Sequence, residues 1–173
     1  MNKKVSSIVL LLGFLILFAA VAPVMAKTAT KLSASTHLIS TTWILGPITE
    51  TTPSGVNHTY GEFTNERTLT IGGATYDVYV EGLMDYNMNP KTGVANLRFT
   101  AVWFVGSPTG PTSDGFSANL HERLYVYTTP PPPLVTAHGV WQGFGSFAQY
   151  TLKMEYEGLF PGAGDLSGYC IIP

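Results

Sequence analysis

Across residues 76–88 apolar and polar side chains alternate. Tyr76, Val78, Val80, Gly82, Met84, Tyr86 and Met88 fall on one face of an extended chain. Asp77, Glu81, Asp85 and Asn87 share the other with Tyr79 and Leu83. A period of two residues belongs to a strand with one face on a core and one in solvent. The Asn89-Pro90-Lys91-Thr92-Gly93 segment supplies a turn. The chain returns over residues 94–105, where Ala95, Leu97, Phe99, Ala101, Trp103 and Val105 share a face. The two segments read as a long hairpin, which makes Met84 and Trp103 core residues.

The same reading extends along the chain. Residues 106–115 form a loop rich in Gly, Pro, Ser and Thr, and residues 116–128 the next strand. Pro130-Pro131-Pro132-Pro133 cannot donate ladder hydrogen bonds. It reads as a stiff polyproline connector, or alternatively as a docking motif. Residues 136–147 and 150–157 make a second hairpin about a tight turn at Ala148-Gln149, and residues 167–172 a closing strand. Weaker strands are expected over 31–40, 41–45 and 60–71, with a turn-rich loop over 47–57. No segment sustains a helical apolar period with caps.

About eight short-linked strands without crossover helices imply an all-β antiparallel domain, either a closed β-barrel or a β-sandwich. Gly139, Gly143 and Gly145 share a strand face with Trp141 and Phe147. Glycine inside a strand marks a sharp bend of a coiling sheet, and this favours the barrel.

The N-terminus has a different character. Asn2, Lys3 and Lys4 precede an unbroken apolar run over residues 8–22, and Val24-Met25-Ala26 closes it with small residues around a cleavage point. This is the pattern of a secretory signal peptide over residues 1–26, cleaved after Ala26. The alternative is an uncleaved anchor, since the run approaches the ~20 residues that span a bilayer. Either reading puts residues 27–173, as one domain, in a secreted or extracytoplasmic location. Taking Lys3 and Lys4 from nine basic residues leaves seven against eleven acidic ones. A mildly acidic domain without a basic run is a poor partner for nucleic acid, and a membrane partner is expected only if the N-terminal segment stays uncleaved. Cys170 is alone, so no intrachain disulfide forms. It reads as a buried, inert thiol, with an intermolecular disulfide or a reactive thiol as alternatives.

The stretch His138-Gly139-Val140-Trp141-Gln142-Gly143-Phe144-Gly145-Ser146-Phe147, with a return strand ending near Gly158, resembles a hairpin of the allene oxide cyclase and dirigent type of secreted barrel. The resemblance covers the C-terminal hairpin. It implies an eight-stranded antiparallel barrel with an apolar interior. The polar active-site pattern of that family has no match at these positions, so no catalytic residue is carried over.

Glu122 stands out as the candidate catalytic carboxylate. It falls in the middle of a face otherwise made of Phe116, Ala118, Leu120, Leu124 and Val126. An unpaired carboxylate there is costly. Three readings compete: a bulge near His121 that turns it outward, a buried basic partner such as Arg67 or Arg98, and a functional carboxylate facing a cavity. His121 and Arg123 belong to the solvent face, as do Glu155 and Glu157. His37, His58, His121 and His138 show no short metal-ligand spacing, so no metal site is expected, and nothing calls for a cofactor. No Gly-x-Ser-x-Gly elbow is present, and Gly143-Phe144-Gly145 lacks the context of a nucleotide loop. Asn57-His58-Thr59 is an N-glycosylation sequon, with Asn57 in a loop-like region. These features fit a non-catalytic barrel that binds a small apolar ligand. The alternatives are a cofactor-free barrel isomerase or cyclase and a structural surface protein.

Overall fold

Strand β3 (Ala74–Asn89) and strand β4 (Val94–Val105) pair antiparallel in unbroken register, from Val78 opposite Val105 to Asn89 opposite Val94, as the alternation predicts. The structure, a computed structural model, describes residues 28–106, 113–125, 134–159 and 164–173. The expected signal segment with its cleavage point, the proline run and most of the 106–115 loop lie outside these residues.

The remaining strands are β1 (Thr30–Thr51), β2 (Asn57–Ile71), β5 (Gly115–Tyr125), β6 (Leu134–Phe144), β7 (Thr151–Leu159) and β8 (Leu166–Ile172). Each pairs antiparallel with its neighbours in sequence, and β8 returns to β1 to close the barrel. A closed barrel replaces the sandwich alternative.

Three boundaries differ from the sequence reading. The two short strands expected over 31–45 are one continuous β1, and it runs on into the expected 47–57 loop as far as Thr51. Register shifts near Leu38, Trp43 and Leu45 break its side-chain alternation, which is why no single long strand is visible in the sequence. Asn57 is accordingly the first residue of β2 rather than part of a loop, and its Oδ1 accepts a hydrogen bond from Thr51 Oγ1 at 3.0 Å. The late hairpin does not run to Phe147. Strand β6 stops at Phe144, and Gly145–Phe147 form a short 3-10 helix that delivers the Phe147 side chain inward.

The strands present their apolar faces to the barrel axis and largely polar faces to the outside. Trp103, Phe116, Leu69, Leu152 and Val80 are fully buried. Met84 is only half-buried against this cluster, a correction to its expected place in the core. The cause is a space on its inner side.

The two ends of the barrel are packed differently. At the end where β2 turns into β3 and β6 into β7, Phe147 meets Phe116, Tyr150 and Tyr76 with ring centroids 5.1, 5.4 and 5.6 Å apart. Trp103 and Trp141 lie against each other at 5.0 Å. Beyond them, toward the other end, the described residues leave the interior unfilled.

Candidate functional site

Inward-facing positions of several strands surround a cavity of about 490 Å³. Val80, Trp103 and Trp141 border it, and Phe63, Leu97, Phe99, Leu120, Leu124 and Val135 add further apolar surface. Leu38 and Trp43 contribute from β1, so its far half belongs to the site. Glycines make room for the rings of Phe63 and Trp141. A Cβ at Gly82 would strike the Phe63 ring, and one at Gly139 would strike the ring of Trp141. Phe63 therefore lies flat across β3 and stacks on Phe99 at 5.8 Å, and Trp141 folds back along its own strand. Gly139 serves close approach rather than the bend read from the sequence.

Polar side chains interrupt this apolar wall. Asn65 and Arg67 sit on the inward face of β2, between Phe63 and Leu69, and both are buried. Arg67 Nη1 donates to Thr36 Oγ1 at 3.1 Å and to the Gly164 carbonyl at 2.7 Å. No carboxylate lies within ion-pair distance of Arg67 among the described residues. Burial lowers its pKa to about 10, an effect partly offset by the fields of Asp165 and Tyr156. It stays charged at neutral pH. Tyr156, also on the cavity wall, has its pKa raised by burial, with Arg67 pulling it back. The Asn65 Oδ1 and Trp141 Nε1 atoms are buried without a hydrogen-bond partner.

Glu122 also lines the cavity, and its position resolves much of the question the sequence raised. There is no bulge at His121, because β4 and β5 stay in register through Leu97 opposite Glu122. The inward orientation stands, but the partner is not an arginine. Arg98 lies on the exposed face of β4, and Arg67 is bonded elsewhere. Strands β5 and β6 pair only from Gly115 opposite Phe144 to Ser117 opposite Gln142, and then separate. Glu122 reaches across this seam. Its carboxylate oxygens accept the backbone N–H of His138 at 3.1 and 3.0 Å, and His138 Nδ1 lies 3.4 Å from Oε1. The carboxylate thus supplies the acceptor that a ladder carbonyl would otherwise give. On the outside, His138 Nε2 also approaches Glu155 at 3.7 Å.

A second carboxylate works at the edge of the site. Asp165 accepts the backbone N–H of Leu38 at 2.8 Å and contacts His37 Nδ1 at 3.0 Å. These contacts follow the last paired residues of the β1–β8 ladder, Thr36 and Leu166. The Leu38 N–H first, and His37 next, hold its carboxyl below the usual carboxylate range.

The other sequence candidates lie apart from the cavity. His121 and Arg123 are exposed, as are Glu155 and Glu157. Cys170 is free and fully buried, and burial raises its thiol pKa. Among the described residues no three His, Cys, Asp or Glu side chains are grouped to hold a metal ion. In the sequence Arg67 stands out only as a partner for Glu122, and Asn65 and Trp141 do not stand out as site residues. Asn65 and Arg67 carried the signal that exposed Glu122, since they are polar residues in step with Phe63, Leu69 and Ile71 on one strand face.

Comparison of the chain with protein-family models, with curated proteins and with solved structures gave no match.

Proposed function

We propose that this chain is an exported binding protein that holds a small apolar ligand inside its barrel. The observation that carries this is the cavity itself. It is about 490 Å³, lined mainly by aromatic and aliphatic side chains, with a few polar groups among them. Sites for small molecules have this size and this mixture of apolar wall and sparse polar anchors. A barrel built only to be stable fills its interior with side chains. Export rests on the charged start, apolar run and small-residue close of residues 1–26. Turnover has weaker support than binding. Glu122, the cavity's carboxylate, already accepts the His138 N–H on both oxygens and is held at the seam.

The test is a fluorescence titration with N-phenyl-1-naphthylamine, a neutral probe that brightens in apolar surroundings. The reading expects saturable binding of one probe per chain, with energy transfer from the tryptophans of the cavity. A flat or non-saturating titration of the folded protein contradicts it.

A further inference from the structure

The cavity's polar atoms are unbalanced. Arg67 is only 6% exposed, and Nη1 is its one nitrogen with hydrogen-bond partners among the described residues. Trp141, 3% exposed, carries an unpartnered Nε1–H. Asn65, 4% exposed, has no hydrogen bond to its side-chain oxygen. The nearby carboxylates are committed elsewhere. Glu122 turns to the seam and His138, and Asp165 to Leu38 and His37. The cavity therefore holds a buried guanidinium with no carboxylate at ion-pair distance among the described residues.

We propose that the ligand is an apolar molecule with a single anionic oxygen head group, a carboxylate or sulfonate, seated on Arg67. This rests on the binding reading above and adds the chemistry of the head group. A buried cation without a counter-ion is costly, and an incoming anion removes that cost. The planar guanidinium offers paired N–H groups to an oxyanion, so charge and geometry select the same head group. The Arg67 hydrogen bonds to Thr36 and Gly164 fix the guanidinium on its Nη1 side and leave Nε and Nη2 for the ligand.

A matched pair of probes tests this. 8-Anilinonaphthalene-1-sulfonate and N-phenyl-1-naphthylamine share one aromatic body and differ by the sulfonate. Both are titrated against the folded protein and against Arg67→Met and Arg67→Lys, with near-ultraviolet circular dichroism as the check on folding. Wild type is expected to bind the sulfonate at least about tenfold more tightly than the neutral probe. Arg67→Met should bring the two affinities together by weakening the sulfonate. Its melting temperature should be no lower than wild type, because no buried anion is left behind. Arg67→Lys keeps the charge without the fork and should retain part of the preference. Equal affinities in wild type overturn the head-group assignment while the binding reading survives, and failure of both probes to bind removes both. A preference that persists in Arg67→Met overturns it as well. So does unfolding of Arg67→Met with no loss of preference in Arg67→Lys, since Arg67 would then be structural.

Discussion

The two ends of this barrel are built from the same kind of sequence and finish differently. At one end the chain plugs itself, because the 3-10 helix after β6 folds Phe147 onto Tyr76, Phe116 and Tyr150. At the other, strands β5 and β6 part beyond Ser117, and Phe63, Leu97 and Phe99 border a space they do not fill. The polar residues of the interior follow the same division. Asn65, Arg67 and Glu122 all line the space, and none belongs to the aromatic plug. Packing supplies stability where the interior is full. Where it is not, the same inward positions are free to carry recognition.

The largest expected contrast comes from truncating one side chain at each end. Phe116 is fully buried among aromatic rings, and Phe116→Ala should cost about 3–5 kcal/mol. Met84 already borders a void, so it has fewer atoms against it to lose. Met84→Ala should cost about 1–2 kcal/mol, below the usual range for a packed core. Denaturant melts of the two variants measure this, and equal losses would mean that the cavity is filled in the folded protein.

The seam provides the next effect. Glu122→Ala removes the acceptor of the His138 N–H and should cost about 1–2 kcal/mol. Glu122→Gln keeps one carbonyl acceptor and should cost less. Hydrogen exchange of the His138 amide gives the local readout, and it should speed up in both variants. An unchanged His138 amide would show that β5 and β6 are held together by something else.

The smallest effect concerns Asp165, which is exposed. Asp165→Ala should cost no more than about 1 kcal/mol at neutral pH. The sign of its pH dependence follows from a folded-state carboxyl held below its usual range. The stabilisation is present above the unfolded-state value of about 4 and is lost as pH falls through the lower folded value. Melting temperatures of wild type and variant should therefore converge in acid. A gap that widens below about pH 4 would contradict the assigned hydrogen bonds.

The sequence made half of this comparison legible. Two-residue alternation set the inward faces of β3, β4, β5 and β7, which placed Trp103 in the core and put Glu122 in step with the apolar face of β5 while leaving open a bulge that turned it outward. It could not show whether inward side chains meet across the axis. Val80 and Met84 sit four residues apart on one face, yet Val80 is fully buried and Met84 is left half-buried beside the space. The partner of Glu122 was illegible for a related reason. It is a backbone N–H on a strand that has moved away, and such a seam is a property of the closed barrel rather than of either segment. In β1 the shifts of register hid the strand itself, and with it the contribution of Trp43 to the site. Phe147 was read as a strand residue because its apolar neighbours keep the alternation up to the point where the chain turns.

If the ligand sits in the cavity, Ala137→Trp should exclude it. Ala137 is an inward, partly buried residue of β6 on the cavity wall, and an indole there would occupy the space without disturbing the aromatic plug. Titration of this variant with N-phenyl-1-naphthylamine should show at least about tenfold weaker binding than wild type, with the melting temperature kept or raised. Undiminished binding by the folded variant would place the probe elsewhere and contradict the account.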